Sequence, residues 1–220
     1  LVSDELSPLA TKYGTDKGIH VHNYTPFYNE HLSSIRKQVT KVLEIGVLDG
    51  ASLRMWKDYF PQAIIYGIDL GPRPNYGERI KTFVANQANR GALQKFIDTY
   101  GGEFDLIIDD GGHHHHQQQI SFGFLFQFVK PDGYYIIEDL QYSFVVGTRF
   151  GPPEANTYDM LRKLQSTGET DSSFLQGNEV YQINDLCHSC YFYEWESPIT
   201  KPDQTRSSRL HIACIIKRKS

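Results

Sequence analysis

The sequence predicts an α/β fold built on a doubly wound, mostly parallel sheet, and three observations carry that prediction. Short β-rich runs alternate with helix-length segments over residues 41–139, the order of successive strand–helix–strand units. Runs such as Leu106-Ile107-Ile108 and Tyr134-Tyr135-Ile136-Ile137 are apolar without alternation, as in strands covered on both faces. In the last third, two strand-like runs are joined only by a loop. They are expected to pair antiparallel, because a parallel return needs a crossover of about a dozen residues or more.

In chain order, residues 41–46, 64–70, 82–85, 104–110 and 134–139 read as the parallel strands, and 52–60, 91–100 and 117–129 as the helices between them. Residues 158–164 read as a further helix. Residues 186–194 and 210–217 form the antiparallel pair, separated by a Pro-bearing loop. The sum is a Rossmann-like sheet of seven strands. Residues 9–28 are polar and aromatic and lead into a helix reaching about Lys37, a cover for the sheet edge or mouth. No repeat, low-complexity linker or composition shift marks a boundary, so residues 1–220 are expected to form one domain, with 1–40 as cover and 41–220 as core.

Lys and Arg number 22 against 26 Asp and Glu, a net charge of −4 without a block of like charges, which argues against electrostatic binding to nucleic acid or a membrane surface. With 40% hydrophobic and 22% charged residues the chain can bury a core. No uncharged apolar run nears the roughly 20 residues that span a bilayer. Cys187, Cys190 and Cys214 cannot all pair within the chain, and no basic stretch followed by an apolar one opens it, so a reducing, cytoplasmic setting is expected. The start at Leu1 rather than Met suggests excision from something longer.

Ligands of open α/β sheets bind beyond the carboxyl ends of the strands. The first strand ends in Glu44-Ile45-Gly46-Val47-Leu48-Asp49-Gly50, where glycines let a ligand approach the backbone and a helix N-terminus offers free N–H groups. Leu48 stands where the dinucleotide fingerprint requires its second glycine, which weakens a hydride-transfer reading. Glu44 and Asp69, at successive strand ends, can accept hydrogen bonds from an amino group and from ribose hydroxyls. The plainer alternative is a glycine-rich turn with surface acids.

Further along, Asp109-Asp110-Gly111-Gly112-His113 follows one strand and Glu138-Asp139 the next. If those strands are neighbours, Asp110, Glu138 and Asp139 surround one point, and three carboxylates there would repel one another unless a hard divalent cation such as Mg²⁺ lay between them. Alternatively, one or two of the acids simply cap the helices that follow. His113 can take a proton from a hydroxyl near neutral pH. Its neighbours His114, His115 and His116 cannot all face one centre from a turn. Cys187-His188-Ser189-Cys190 looks like half a zinc site with Cys214 as a third sulfur, but C-x-x-C puts two thiols on opposite faces of a regular strand, and buried strand thiols are the expectation.

Together these motifs resemble the class I S-adenosylmethionine-dependent methyltransferases, in particular the Mg²⁺-dependent O-methyltransferases of macrolide and other natural-product sugars. The resemblance runs through Lys12-Tyr13-Gly14-Thr15-Asp16-Lys17, Tyr24-Thr25-Pro26-Phe27-Tyr28, the Glu44 to Gly50 loop, Ser52-Leu53-Arg54-Met55-Trp56, Tyr66-Gly67-Ile68-Asp69, Asp109 to His113 and Ile137-Glu138-Asp139. It implies that Glu44, Gly46, Gly50, Ser52 and Asp69 hold the methionine and ribose parts of S-adenosylmethionine. Asn86 and Gln87 would then lie near the adenine, Asp109 would contact the cofactor and Thr15 would close over it. It further implies that Asp110, Glu138 and Asp139 hold the metal and that His113 is the base. Gly112 replaces the Ser often found before that His, and Asn86 a common Asp. The expected partner is a small-molecule hydroxyl acceptor, with a second copy of the chain or a parent multidomain biosynthetic protein beside it, and residues 142–158 are the expected acceptor lid. A metal-independent methyltransferase and a non-catalytic cofactor-binding or scaffold domain are the alternatives.

Overall fold

Leu43, Ile45, Ile68, Ile107 and Ile137 pack on one side of a sheet, and Val42, Ile65, Leu106, Ile108 and Ile136 on the other, which is why these runs do not alternate with polar residues. The computed structural model describes residues 3–145, 147–197 and 210–220. Its strands are β1 (Lys41–Ile45), β2 (Ile64–Asp69), β3 (Ile80–Val84), β4 (Phe104–Asp109), β5 (Val129–Ile137), β6 (Cys187–Glu196) and β7 (Leu210–Arg218). They lie in the order β3-β2-β1-β4-β5-β7-β6. Strands β1 to β5 are parallel, and β7 runs antiparallel between β5 and β6. The expected Rossmann-like sheet with a C-terminal antiparallel pair is the one found.

Helices α1 (Leu6–Tyr13), α2 (Thr25–Leu32) and α3 (Ala51–Tyr59) cover one face. On the other lie α4 (Arg90–Tyr100), α5 (His115–Leu125), α6 (Thr157–Thr167) and α7 (Gly177–Leu186). Local chemistry sets their ends. The Asn89 side chain accepts from the Ala92 N–H to open α4, Asn156 accepts from the Asp159 N–H to open α6, and Gly168 at φ 74° closes it.

Several expectations are corrected. Strand β5 begins at Val129 rather than Tyr134, because Val129 already pairs with Phe104 before a bulge that contains left-handed Asp132 (φ 61°), and α5 ends at Leu125 in a 3₁₀ turn over Phe126–Phe128. The cover contains two short helices, and α2 stops at Leu32, short of Lys37. Helix α7 was not anticipated; Glu179 in its first turn accepts from the Gln176 N–H and from Arg90 across the fold, a tertiary support invisible in local periodicity. A register shift between Cys187 and Ser189 brings the Cys187 and Cys190 sulfurs to 3.9 Å, so the two thiols do not point to opposite faces. All three cysteines are free thiols. Residues 198–209 of the Pro-bearing loop between β6 and β7 lie outside the described residues, as does residue 146 of the expected lid.

The register positions the site. Ile45 of β1 pairs with Ile68 of β2 and with Asp109 of β4, which in turn pairs with Ile137 of β5, so the chain leaves all four strands at one level. The strands following β1 diverge to its two sides, and the crevice opens at that reversal. Gly46, at φ 91°, lets the two loops touch there: a Cβ on it would lie 2.0 Å from the Asp110 carbonyl oxygen. Gly46→Ala combines left-handed strain with a backbone clash and should cost about 3 kcal/mol. Differential scanning calorimetry should therefore find the melting temperature lowered by roughly 6–12 °C; a shift under about 2 °C would show that the loops can separate freely.

Candidate active site

The crevice is a cavity of about 550 Å³ walled by the loops after β1, β2, β3, β4 and β5 and by the cover segment. Its first half is built around Asp69. Asp69 Oδ2 accepts the Val47 and Leu48 N–H groups at 2.9 and 3.3 Å, and Oδ1 pairs with the Arg73 guanidinium at 2.7 Å. Burial works against the charge, but Arg73 and the backbone donors outweigh it and hold the Asp69 carboxyl below its ordinary range. The result is an ionised acceptor beside a glycine-bearing loop. Across the cavity, Gln87 Oε1 accepts the Gly112 N–H at 2.9 Å, and its Nε2 donates to both oxygens of Asp109 at 3.0 and 3.1 Å.

The second half is acidic. Ligand atoms of Asp110, His113 and Asp139 lie within 4.8 Å of one another. His113 Nε2 is 3.5 Å from Asp139 Oδ2, its Nδ1 is buried without a hydrogen-bond partner among the described residues, and its ring stacks on Tyr142 at 5.2 Å between centroids. Both His113 (φ 57°) and Asp139 (φ 58°) are left-handed non-glycine residues, the kind of local strain found at functional sites. Asp139 Oδ1 accepts from Tyr24 OH at 2.8 Å and Gln141 Nε2 at 3.0 Å. Burial opposes its ionisation, yet the neighbouring His113 and His22 and those two hydrogen bonds keep its carboxyl below the ordinary range.

Of the residues singled out from the sequence, Thr15, Gly46, Ser52, Asp69, Asn86, Gln87, Asp110, His113 and Asp139 line the cavity. Four other expected residues stand behind the wall. Glu44 is fully buried and accepts from Ser52 Oγ at 2.7 Å. Gly50, at φ 77°, turns the chain under the Tyr76 ring. Asp109 spends its oxygens on Gln87 and Ser121, so it positions Gln87 instead of facing a ligand. Glu138, expected on the same point as Asp110 and Asp139, has Oε2 on the Lys17 ammonium at 2.9 Å and Oε1 on Tyr28 OH at 2.6 Å. Of the expected lid aromatics, Tyr142 and Phe150 stack at 4.5 Å beside His113, whereas Phe144 packs against Tyr158 at 4.8 Å, and Tyr158 against Phe192.

Sequence reasoning assigned no role to Lys17, although it closes the Lys12 to Lys17 motif. Its Nζ also lies 3.2 Å from Glu44 and 2.5 Å from Asp110. Burial works against its charge, but Asp110, Glu138 and Glu44 raise its pKa well above the ordinary lysine value. The signal available in the sequence was the acid cluster itself, which demanded cations. Lys17 touches Glu44, Asp110 and Glu138, whose carboxyls burial pushes above the ordinary range, and leaves Asp139 to His113 and His22. The carboxylate oxygens of Asp110 and Asp139, gathered at one point of the cavity, fit a hard divalent cation.

A seven-stranded sheet in this order, with an ionised acid at the end of β2 and an acid–imidazole cluster at the ends of β4 and β5, defines a class I S-adenosylmethionine-dependent methyltransferase. No family model matches the chain. It is 39% identical over 144 residues to the mycinamicin VI 2''-O-methyltransferase of Micromonospora griseorubida, covering 62% of this chain and 36% of that protein. Over 202 residues it is 32% identical to the 8-demethyl-8-(2-methoxy-alpha-L-rhamnosyl)-tetracenomycin-C 3'-O-methyltransferase of Streptomyces olivaceus, covering 88% and 47%. The crystal structure of the MycE methyltransferase from the mycinamycin biosynthetic pathway, in complex with Mg and SAH, superposes with a TM-score of 0.78 at 29% identity over 100% of this chain and 55% of that one. The chain belongs to the O-methyltransferases of this class that are related to the macrolide and natural-product sugar enzymes, and it spans about half the length of the relatives it matches or less.

Proposed function

We propose that the chain transfers a methyl group from S-adenosylmethionine to a hydroxyl of a glycosylated or polyketide natural product, with a divalent cation such as Mg²⁺ at Asp110 and Asp139, which Glu138 would join only by exchanging its Lys17 or Tyr28 contact. One observation carries this reading: the convergence of Asp110, His113 and Asp139 on the cavity that also holds the Asp69 loop. Relatives named as O-methyltransferases of mycinamicin VI and of a rhamnosyl-tetracenomycin, and the Mg and SAH in the MycE complex, support it.

Asp69 would accept the ribose hydroxyls, Asn86 and Gln87 would border the adenine, and Ser52, held by Glu44, would meet the methionine end. The cation, when bound, would lower the pKa of the acceptor hydroxyl and orient it. The remaining work falls to the protein. The acceptor oxygen bonds to the methyl carbon as the sulfur–carbon bond breaks, and the hydroxyl proton passes to the His113 imidazole. Asp139 then faces an imidazolium whose charge it stabilises. Tyr142, stacked on His113, fixes the ring plane and borders the acceptor side.

We place residues 1–220 in one methyltransferase domain working in the cytoplasm, either as a homo-oligomer or within a longer biosynthetic protein. Among the described residues no helix is long and apolar enough to cross a membrane. Incubation of the purified chain with S-adenosylmethionine, Mg²⁺ and a panel of deoxysugar-bearing polyketides should yield, by mass spectrometry, an acceptor heavier by one methyl. Tight binding of S-adenosylhomocysteine without transfer to any hydroxylated acceptor would overturn the catalytic reading in favour of a binding domain.

A further inference from the structure

Lys17 is the only buried lysine among the described residues. Its carbonyl accepts the Tyr24 and Thr25 N–H groups at 3.0 and 3.2 Å, while its Nζ contacts Glu44 Oε1, Asp110 Oδ2 and Glu138 Oε2 at 3.2, 2.5 and 2.9 Å. It is thus pinned at both ends. The acids it touches stand at the ends of β1, β4 and β5, three neighbouring strands, and Asp139 lies beside them. Clusters of four carboxylates are the donor sets that elsewhere hold two divalent cations. Here the space between three of the four is taken by an ammonium.

We infer that Lys17 is the built-in second cation of the centre, limiting it to one divalent ion and holding its affinity below what four carboxylates would give. The inference rests on the metal reading above. A fixed positive charge a few ångströms from a divalent ion repels it in a site shielded from solvent. The same charge keeps Glu44, Asp110 and Glu138 together when no ion is bound, because unpaired buried carboxylates would drive the cover away. Lys17 is therefore a positioning residue with an electrostatic signature: removing it should strengthen ion binding, whereas loss of a purely structural residue should weaken it.

Mn²⁺ is the probe, titrated into the full chain in mildly alkaline buffer and followed by the electron paramagnetic resonance of free Mn²⁺ and by calorimetry. The wild-type chain should bind one ion. Lys17→Met should bind it at least tenfold more tightly or take a second, and its melting temperature should become strongly dependent on Mn²⁺. Lys17→Met combined with Glu44→Gln removes one charge of each sign and should return stoichiometry to one and affinity to within about threefold of wild type. One ion in wild type and one, no tighter, in Lys17→Met overturns this inference alone, including the case in which a carboxylate has taken up a proton instead. No Mn²⁺ in the wild-type chain overturns the metal reading and the inference with it. If Lys17→Met folds only with Mn²⁺ present, the inference is supported. If it folds under neither condition, the charge-balanced double variant decides, and its failure to match wild-type binding counts against.

Discussion

His113→Ala should lower methyl transfer by about 10²–10⁴-fold, the range usual for removing a general base, or about 3–5 kcal/mol of transition-state stabilisation. The loss should fall on turnover. S-adenosylhomocysteine affinity, measured calorimetrically, should stay within about threefold, since the Asp69 half of the cavity does not depend on this ring. The variant also separates two roles that the geometry places side by side, because His113 lies within ligand distance of Asp110 and Asp139. As a base, His113 can be lost while Mn²⁺ binding is kept; as an ion ligand, it would take binding down with it, commonly by tenfold or more. Removing the ring also takes away one of the two rings stacked on Tyr142, leaving only Phe150, so a melting curve on the same sample is the control. A variant that turns over at the wild-type rate would remove the assignment.

Stripping divalent cations should abolish turnover by at least about 10²-fold, with recovery on adding Mg²⁺. Asp139→Asn should reproduce the loss without chelator. Its amide oxygen can still accept from Tyr24, so the cover should remain docked, while the anionic ligand is gone. Mn²⁺ binding to this variant should weaken by more than about tenfold. Unchanged activity after chelation would instead place the chain with the metal-independent methyltransferases, leaving Glu44, Asp110 and Glu138 as a charge network around Lys17.

Legibility followed the range of the forces involved. β1, β2 and β4 were read to within about one residue, because strands covered on both faces are rich in buried apolar residues and end at Gly or Asp. α7 was not read: its first turn is supported by the Arg90–Glu179 pair across 89 residues, which no local window contains. The C-x-x-C spacing misled because a one-residue irregularity in β6 changes which face a side chain points to.

The same division runs through the candidate site. Motif and strand-end position sufficed to pick out Asp69, Asp110, His113 and Asp139, since residues just past parallel strands must gather at one edge of the sheet. They also indicated a need for positive charge. They did not say where the charge comes from. Lys17 reaches Glu138 across 121 residues, Tyr28 reaches it across 110, and Asp109 turns inward to Gln87 instead of outward to the cavity. The sequence by itself determined the class of fold and the acids and imidazole at its mouth, because both follow from periodicity and chain order. Only the tertiary structure decided which of those acids face the cavity and which are held by the cover, because a carboxylate's environment is set by whatever long-range partner packing brings within about 3 Å of it.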